Sequence, residues 1–444
     1  MKLDLNDVIK ATSAKVLKNE TNLSKIGFST DTRTIKQGEI FVPIKGENFD
    51  GENFIENALK CGAEGYFTRN DKIYDNAKVV LKVEDTLTAY LESARLCRIN
   101  VNPRVIAITG SSGKTTTKEM MYSICKQVFK THKTALNHNN EIGFCQTMFE
   151  MPEDTEVLIV EMGMRGFGEI ELLSKYAIPD IAIITNAGTA HIGRLGSKEN
   201  IAKAKCEITK YQKIDGVFIT EVNPMVEKIV DFKGKKVFCT LEDVEILEKK
   251  PDYTKFSYKG NIFEINISGE YNVKDAIECI EAALALKMDL KDIQNGLNEY
   301  KNIEKRFEIQ EVNGYKIIND SYNANPDSMK GFIKNVLELY EKPVLILGNM
   351  GELGDDSEKY HYEIGQYINS LNKRDVIVLT VGDLALQISN ALSSEIITQN
   401  FKNISDLSCY ILANIDKSYT IFLKASRSEK FEDIIKILEE GDIL

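Results

Sequence analysis

The stretch VIAITGSSGKTTTKEMM, residues 105–121, decides the fold. An apolar run ends at Thr109, a glycine-rich turn follows, and a helical pattern begins at Lys114. This order of strand, glycine turn and helix is typical of a P-loop, whose usual spacing is G-x-x-x-x-G-K-[ST]. Here Ile108 takes the place of the first glycine, so the loop is a shortened G-x-x-G-K-T that starts at Gly110.

A loop of this kind holds the phosphates of a nucleotide. We expect the backbone N–H groups from Gly110 to Lys114 to point inward, where the next helix adds the positive end of its dipole. Lys114 can reach the outer phosphates, and the Thr115 hydroxyl can ligate Mg²⁺. The predicted nucleotide-binding residues here are Gly110, Ser111, Ser112, Gly113, Lys114, Thr115 and Thr116. A glycine turn that merely links strand to helix is disfavoured, because all these features occur in order.

The bulk composition describes a soluble protein of several domains. The chain has 444 residues, 43% of them hydrophobic and 28% charged, so two to four domains are expected. A net charge of −11 argues against broad nucleic-acid binding. The longest apolar runs are strand-sized, and MKLDLNDVIK does not resemble a signal peptide. The eight cysteines include no C-x-x-C pair, which indicates reduced thiols and a cytoplasmic location.

Three segments follow one another along the chain. Residues 1–103 alternate short strands with helical stretches, and the segment 94–104 breaks that pattern. Residues 104–306 repeat strand, turn and helix, with the near-continuous apolar strands RVIAITG, EVLIVEMG, DIAIITNAG and DGVFITE. Such strands are typical of a parallel sheet covered on both faces. Residues 307–444 predict a Rossmann-like domain that could fold alone, so we expect an α/β protein of three domains.

Polar residues follow several of the central strands. Gly110, Glu161 and Asn186 each lie just past a strand end, and ligands bind at the carboxyl ends of parallel strands. Glu161 suits a magnesium ligand, although a helix cap or a salt-bridged loop acid would have the same position. His191 lies in the loop TNAGTAHIGRLGS, where a structural role is the alternative to a catalytic one.

The segment SKENIAKAKCEI predicts a short helix with an inward lysine. Ser197 suits the N-cap and Glu199 the first turn. Ile201, Lys205 and Ile208 then share one helix face. The alternative is that Lys205 extends its ammonium group to water.

Together these pieces resemble the Mur ligase family. That family has a short G-x-x-G-K-[ST] loop, a glutamate after the next major strand, a histidine after the following one, and a lysine in an A-K-x-E helix. The resemblance runs from end to end. In the first segment, FSTDTRTIKQGEIFVPIKGENFDGENFIENALKCGA is similar to the family's uridine-binding domain. The residues on that motif are Ser29, Asp31, Thr32, Arg33, Lys45, Gly46, Asp50 and Gly51.

Further matches cover the middle and the end of the chain. NHNNEIG (137–143) and GEYNVKDA (269–276) match the family's nucleotide and substrate loops and implicate Asn139, Asn140 and Asn272. KRFEI supplies Arg306, which the resemblance pairs with Asp320 to hold the nucleotide when the third domain closes. NDSYNANPDSM (319–329) is the most telling stretch, and GNMGELG and KASRSEKFE complete the match. Its implied substrate-binding residues are Tyr322, Asn323, Asn325 and Ser328.

The resemblance implies an ATP-dependent ligase that joins D-alanyl-D-alanine to UDP-N-acetylmuramoyl-tripeptide through an acyl phosphate. The implied catalytic residues are Lys114, Glu161, His191 and Lys205. The implied metal ligands are Thr115, Glu161, His191 and Lys205, the last as a carbamate. Two Mg²⁺ ions are expected, because a carbamate turns a cation into the anionic oxygen donor that Mg²⁺ prefers. A monomer without nucleic acid or integral membrane contact is expected.

Three alternatives stay open. A P-loop NTPase that converts hydrolysis into motion or signalling would share GSSGKTT, but it would not need the first or third segment. A non-catalytic homologue would be expected to lack Lys114, Glu161 or Lys205, and all three are present. Another family member could add a different amino acid or dipeptide. Relatives that add diaminopimelate or lysine usually carry a D-x-P-R motif, which the third segment lacks.

Five positions depart from the family pattern. Leu136 replaces a glycine before the asparagine run, Tyr271 a histidine, and Asp275 an asparagine placed near the adenine. Asn349 replaces the aspartate of G-D-M-x-E-L-G, and Ala425 the glycine of K-G-S-R. These changes concern the adenine and dipeptide contacts that the resemblance implies, and none of them touches the phosphate or metal positions.

Overall fold

The computed structural model describes residues 1–302, 306–373 and 375–441. The described chain divides into two compact units. The first unit comprises Met1–Ala107, Val128–Ala182 and Ile208–Gly216. The second unit comprises Ile108–Gln127, Ile183–Glu207 and the described chain from Val217 onward.

The N-terminal segment forms a six-stranded sheet in the order β1-β3-β4-β5-β6-β2. Its strands are β1 (Leu3–Asp4), β2 (Lys15–Asn19), β3 (Lys25–Ser29), β4 (Glu39–Phe41), β5 (Gly65–Thr68) and β6 (Val79–Lys82). Its helices are α1 (Leu5–Thr12), α2 (Ile55–Lys60) and α3 (Thr86–Val101). Strands β3 to β6 are parallel, and β1 and β2 pair with them in antiparallel fashion at the two edges. The sequence predicts strands in GEIFVPI, GYFTR and AKVVLKV, and the structure has β4, β5 and β6 there.

A second six-stranded sheet has the order β12-β11-β10-β7-β9-β8. Its strands are β7 (Arg104–Thr109), β8 (Thr131–Lys133), β9 (Val157–Glu161), β10 (Ile181–Ile184), β11 (Val217–Glu221) and β12 (Lys235–Cys239). The helices that alternate with them are α4 (Lys114–Cys125), α5 (Glu141–Glu150), α6 (Glu169–Ala177), α7 (Ile192–Leu195), α8 (Lys198–Cys206) and α9 (Pro224–Ile229). All four predicted apolar strands belong to it, and β9 and β10 are buried throughout.

The expected break between the first two segments is shorter than predicted. Residues 94–101 continue helix α3, which ends at Val101, and Asn102 caps it in a left-handed conformation. The helix is held because it packs on α5 and α6 within the first unit. The Arg98 guanidinium donates to the carbonyl of Ala177 (3.0 Å), and the Tyr90 ring lies 5.2 Å from that of Phe149. Tertiary packing therefore extends a helix whose sequence pattern looked interrupted.

A three-stranded antiparallel sheet was not predicted from the sequence. It consists of β13 (Val244–Lys250), β14 (Tyr253–Tyr258) and β15 (Asn261–Ile265). Lys259 and Gly260 join β14 to β15, both with positive φ, as a two-residue hairpin turn requires. In β14, YTKFSY, the buried residues Thr254, Phe256 and Tyr258 alternate with partly exposed ones, and this alternation of residues was the available signal. Two helices follow, α10 (Glu270–Ala285) and α11 (Leu290–Glu299).

The C-terminal segment forms a mixed sheet in the order β16-β17-β21-β18-β19-β20. Its strands are β16 (Glu308–Val312), β17 (Tyr315–Asn319), β18 (Pro343–Gly348), β19 (Ile377–Val381), β20 (Ile397–Phe401) and β21 (Thr420–Lys424). Its helices are α12 (Pro326–Leu339), α13 (Ser357–Ser370), α14 (Leu386–Ala391), α15 (Ile404–Asn414) and α16 (Glu432–Glu440). The sheet is parallel except for the β16–β17 hairpin, and an apolar core lies on each of its faces. The Rossmann-like prediction is confirmed.

The apolar runs that were predicted to be strands are strands. VLILG lies in β18 and VIVLTVG in β19, and both are buried in the C-terminal sheet. Across the described ranges, no helix combines the length and the apolar character that spanning a membrane requires.

Candidate active site

The shortened loop joins β7 to α4, as the sequence predicts. Gly113 has a φ of +81°, and a Cβ there would lie 2.5 Å from Oδ1 of Asp275. At Gly110 a Cβ would lie 1.8 Å from the Thr185 hydroxyl oxygen. Both glycines are therefore required, one by its backbone conformation and both by the close approach of a polar side chain.

Two residues that follow β10 hold this loop. The main-chain N–H groups of Ser111 and Ser112 donate to Oδ1 of Asn186 (3.1 and 3.0 Å), whose Nδ2 donates to the Ser112 hydroxyl (3.0 Å). The Thr185 hydroxyl donates to the Ser112 carbonyl (2.5 Å). The expectation that every N–H from Gly110 to Lys114 points inward is wrong for Ser111 and Ser112, because Asn186 takes both. Asn186 shapes the loop, as its position after a strand suggested.

The first residues of α4 complete the loop. Lys114 Nζ donates to the Gly110 carbonyl (2.8 Å) and so curls back over the turn. The Thr115 hydroxyl accepts a hydrogen bond from Nη2 of Arg306 (3.0 Å). The Arg306 guanidinium stacks 4.2 Å from the centre of the Tyr322 ring. The predicted nucleotide residue Arg306 therefore reaches the loop, and Thr116 beside them is buried.

Asp320 is held by a lysine that the sequence reading did not place in the site. Nζ of Lys424, at the end of β21, lies 2.6 Å from Oδ2 of Asp320 and 3.4 Å from the carbonyl of Asn323. Lys424 is buried, so this ion pair fixes the loop that carries Tyr322. The KASRSEKFE match was the signal that could have found Lys424.

The stretch 319–329 begins helix α12 and also touches the loop. Asn325 caps the helix: its side chain accepts from the Ser328 N–H (2.9 Å), and the Ser328 hydroxyl accepts from the Asn325 N–H (3.1 Å). Nδ2 of Asn325 reaches the Ser111 carbonyl (3.4 Å). Oδ2 of Asp327 accepts from both the N–H and the hydroxyl of Thr189 (2.6 and 2.7 Å). Asp327 was not predicted, although the quoted motif contains it.

Glu161, in the first unit, ends β9 and is buried. Its Oε1 accepts from Nδ2 of Asn139 (2.9 Å), and its N–H donates to the Thr134 hydroxyl (3.1 Å). Asn140 caps α5 through the N–H of Gly143 (2.9 Å). The alternative that Glu161 caps a helix is excluded, because it is the last residue of a strand.

Lys205 lies on α8, whose N-cap is Ser197 as predicted. The Lys205 side chain is fully buried, with 1% of its surface exposed, so the alternative in which it reaches water is wrong. Burial lowers the pKa of Lys205 well below its usual value, and the positive charge of Lys114 lowers it further. Ile201 of the same helix is buried as well. Burial therefore favours the neutral form of the amine over the ammonium form.

His191 precedes α7 with a φ of +63°. Its Nδ1 lies 2.5 Å from Oε2 of Glu352, and Oε1 of that carboxylate lies 3.5 Å from Nε of Arg194. The N–H of Gly193 donates to the Glu352 carbonyl (2.9 Å). The segment around His191 is thus joined to the GNMGELG stretch, which follows β18 of the C-terminal segment.

Asp275 lies directly beneath the loop, beside Gly113. The pKa of Asp275 is raised to about 8. Burial is the main cause, and the nearby Glu221 carboxylate is the second. The predicted nucleotide residue Asn272 is buried one helical turn earlier, where its Nδ2 donates to the Ser268 carbonyl (2.6 Å). The departure from asparagine at 275 therefore places a largely neutral carboxylic acid against the loop.

The other four departures from the family pattern, at positions 136, 271, 349 and 425, lie at different places in the fold. Leu136 is exposed with a φ of +45°, which suits the glycine of the family pattern. A Cβ on Gly331 would lie 3.3 Å from the Tyr271 ring. Oδ1 of Asn349 accepts from the main chain just before α14 (2.9 Å), and Ala425 is buried.

The predicted uridine-binding residues lie together in the first unit. Arg33 Nη2 lies 2.6 Å from Oδ2 of Asp31, and this hydrogen bond lowers the Asp31 pKa to about 2. The Ser29 hydroxyl donates to the Asp31 carbonyl (3.1 Å), and Asn57 donates to the Thr32 hydroxyl (3.2 Å). These contacts order the turn after β3.

The second half of that motif is a closed loop. Lys45 and Asp50 form an isolated antiparallel bridge around Gly46. Nη2 of Arg69 lies 2.5 Å from Asp50 Oδ2. A Cβ on Gly51 would lie 2.6 Å from a main-chain oxygen, so only glycine fits there. The loop is therefore shaped by glycines and braced by one arginine.

The predicted metal ligands require donors beyond histidine, cysteine and acidic side chains. Over residues 1–302, 306–373 and 375–441, no group of three or more such side chains is arranged to hold a metal ion. The predicted set instead draws on the Thr115 hydroxyl and on Lys205 as a carbamate. A buried lysine with a lowered pKa fits this chemistry, because only the neutral amine reacts with CO₂.

The site consists of a glycine turn between a sheet strand and a helix, with Lys-Thr after the turn and an arginine that reaches it. This arrangement defines a P-loop nucleotide-binding protein. The Mur ligase family catalytic domain matches residues 27–108, the Mur ligase middle domain residues 108–283, and the Mur ligase glutamate ligase domain residues 305–443. A UDP-N-acetylmuramoyl-tripeptide--D-alanyl-D-alanine ligase of Bacillus subtilis is 38% identical and covers 99% of this chain and 98% of its own length. The chain belongs to the Mur ligase family.

Two solved structures share the fold. A crystal structure of MurF from Acinetobacter baumannii has a TM-score of 0.91 and 28% identity, covering 99% of each chain. MurF ligase from Thermotoga maritima in complex with ADP has a TM-score of 0.83 and 27% identity, covering 94% of this chain and 97% of that one. The predicted three-domain Mur ligase fold is thereby confirmed.

Proposed function

We propose that this chain joins D-alanyl-D-alanine to UDP-N-acetylmuramoyl-tripeptide at the expense of ATP. The observation that carries the choice of substrates is the end-to-end similarity to the Bacillus subtilis ligase, at 38% identity over 99% of this chain. The phosphate loop and the buried Lys205, whose pKa is lowered, support the reaction class. ADP in the Thermotoga maritima structure supports the nucleotide.

The reaction divides into two steps. The tripeptide's terminal carboxylate has no leaving group, so its oxygen takes the γ-phosphoryl group of ATP and ADP departs. The amine of D-alanyl-D-alanine then attacks the carbonyl of this acyl phosphate, loses a proton, and phosphate leaves from the tetrahedral intermediate. The protein contributes mainly positioning and charge neutralisation. Lys114 would compensate the charge of the outer phosphates, and Arg306 would hold the nucleotide from the C-terminal side.

Magnesium fits the oxygen donors available in this chain. Bound Mg²⁺ would neutralise phosphate charge and orient the reacting oxygens. Thr115, Glu161 and His191 would hold it together with the carbamate of Lys205. The lysine amine gains CO₂ and loses a proton to form that carbamate, and its burial favours the neutral amine that this step needs.

The three segments would divide the work. Residues 1–103 would bind the UDP end through Ser29 to Arg33 and the Lys45 to Gly51 loop. Residues 104–306 would bind ATP, with Asn139 and Asn140 facing the tripeptide. Residues 307–444 would bind the dipeptide through Tyr322, Asn323, Asn325 and Ser328 and close over the acyl phosphate to exclude water. We propose a cytoplasmic monomer.

The test is a product assay with both substrates, either one, or neither. ADP, phosphate and the pentapeptide product should appear together, and only when both substrates are present. ATP hydrolysis at a similar rate without them would contradict the ligase proposal and favour a motor or signalling NTPase. Turnover with another amino acid or dipeptide in preference to D-alanyl-D-alanine would favour a different member of the family.

A further inference from the structure

Asp327, in the first turn of α12, binds a loop that lies far from it in the chain. Its Oδ2 accepts hydrogen bonds from both the N–H and the hydroxyl of Thr189 (2.6 and 2.7 Å). Thr189 is 2% exposed, whereas Asp327 itself is an exposed residue. One carboxylate oxygen at the surface therefore accepts from both hydrogen-bond donors of a buried threonine.

The loop that carries Thr189 also holds the phosphate loop. The Gly188 N–H donates to the Ser111 hydroxyl (3.0 Å), and Oδ1 of Asn186 accepts from the Ser111 N–H (3.1 Å). Asn325, two residues before Asp327, donates to the Ser111 carbonyl (3.4 Å). The start of α12 therefore reaches Ser111 in two ways, directly through Asn325 and indirectly through the loop that Asp327 holds.

Gly188 shows how closely the carboxylate approaches this loop. A Cβ on Gly188 would lie 2.3 Å from Oδ2 of Asp327, and the three atoms nearest to it would all belong to that side chain. Gly188 has no left-handed φ that would call for a glycine, so the approach of the carboxylate is what excludes a side chain here. A methyl group at position 188 would displace the carboxylate from Thr189 without changing Asp327.

We propose that Asp327 is a positioning residue for nucleotide binding. Through Thr189 it fixes the loop that shapes the phosphate loop, so the nucleotide site is complete only when α12 is docked on that loop. This proposal rests on the proposed function, in which the phosphate loop binds ATP. An aspartate in a first turn also stabilises its helix through the helix dipole, and that role needs no partner. The two charge-assisted hydrogen bonds to Thr189 give Asp327 a second role.

Amide hydrogen exchange in the full-length protein without nucleotide tests the contact. Asp327→Ala should speed exchange at Thr189 and in the phosphate loop, because the Thr189 N–H loses its acceptor. Asp406→Ala is the matched control, since Asp406 is an exposed acid in the first turn of α15 and has the same favourable position on the helix dipole. Asp327→Asn keeps an acceptor oxygen and should restore most of the protection. Equal exchange at Thr189 in Asp327→Ala and Asp406→Ala would overturn the proposal.

Calorimetric titration with ADP gives the second readout. Asp327→Ala and Gly188→Ala should both bind ADP roughly tenfold more weakly than the wild type, the second because its methyl group displaces the carboxylate. Gly166→Ala is the control for the glycine, because a Cβ there would lie no closer than 3.8 Å to another atom, and it should bind ADP like the wild type. Wild-type affinity in both Asp327→Ala and Gly188→Ala would overturn the proposal.

These outcomes separate the proposal from the proposed function. Exchange and ADP affinity are measured without the tripeptide or the dipeptide, so they stand even if the coupled assay fails. If turnover is strictly coupled but Asp327→Ala matches Asp406→Ala in both measurements, the function stands and the role of Asp327 does not.

Discussion

Lys205 is a buried amine whose pKa is lowered mainly by loss of solvation. An ammonium group loses its hydration shell in such a site, and Lys114 adds repulsion. Lys203, two residues earlier, has the opposite surroundings: it is exposed and pairs with Glu199 at 2.9 Å. The helix therefore provides a matched pair of lysines.

We expect Lys205→Ala to be nearly inactive, because the carbamate oxygen that would hold magnesium is lost. Short carboxylates such as acetate should restore part of the activity by filling the vacated position. Lys203→Ala should retain wild-type activity and show no response to acetate. The coupled product assay measures both. A fully active Lys205→Ala enzyme would refute the carbamate proposal.

Asp275 is the second residue whose burial has a measurable consequence. Its pKa is about 8 in the folded protein, against 3.8 for an ordinary aspartate. Between these values the folded state keeps a proton that the unfolded state has released, so unfolding becomes easier as the pH rises. Burial also raises the pKa of Glu278, which acts in the same direction.

Asp275→Asn should therefore remove part of the loss of folding stability that occurs as the pH rises. Relative to the wild type, the variant should gain stability as the pH rises from about 4 to about 8, and the difference should level off above that. The gain is at most about 1.4 kcal/mol for each pH unit. Chemical unfolding at a series of pH values measures it, with Asp383→Asn as an exposed control. A pH-independent difference would contradict the assignment.

At the scale of elements, the ends of helices show how one residue can serve both fold and site. Asn325 caps α12 and reaches the Ser111 carbonyl of the phosphate loop. Asn403 caps α15 in the same way, through the Asp406 N–H at 2.8 Å, and is exposed. Both asparagines cap a helix, and of the two Asn325 also reaches the phosphate loop.

Replacement of either asparagine by alanine should lower the stability of the C-terminal segment by about 1 kcal/mol, because each leaves one helix N–H without its cap. Asn325→Ala should also lower kcat/KM by roughly tenfold, about 1.4 kcal/mol of barrier. Asn403→Ala should not. Thermal scans and the coupled assay test both. Equal activity in the two variants would assign Asn325 to the helix cap alone.

The strands were predictable at this scale, and several connections were not. Five of the strands are near-continuous runs of buried apolar residues, a pattern that is visible in the sequence: β7, β9, β10, β18 and β19. The sheet of β13 to β15 was not predicted because its strands are half exposed, which weakens the alternation of apolar and polar residues along them. The last two turns of α3 were not predicted to be helical, because packing on α5 and α6 outweighs local sequence preference there.

At the scale of the whole molecule, the segments differ in how independent they are. The two apolar cores of the C-terminal sheet draw every buried member from residues 307–438. The N-terminal segment is different, because α3 packs on α5 and α6 and Phe28 lies 4.9 Å from Phe149. Removing residues 1–100 would therefore expose an apolar face and destabilise what remains.

Residues 307–444 should fold as an isolated fragment. We expect a cooperative thermal transition by circular dichroism and well-dispersed amide signals by NMR. Phe332→Ala, at a fully buried position, should lower the fragment's stability by about 3 to 5 kcal/mol. A fragment that lacks a cooperative transition would show that the C-terminal cores depend on the rest of the chain.

The sequence by itself determined the phosphate loop, the parallel strands, the Mur ligase resemblance and the residues to be tested, because each is a local pattern of a few consecutive positions. Only the tertiary structure decided that Asn186 takes two loop N–H groups, that Asp275 lies under Gly113, and that Glu352 faces His191. These contacts join residues 74 to 162 positions apart, and they exist only once the sheets are packed. Burial, which lowers the pKa of Lys205 and raises that of Asp275, is likewise a property of the packed chain.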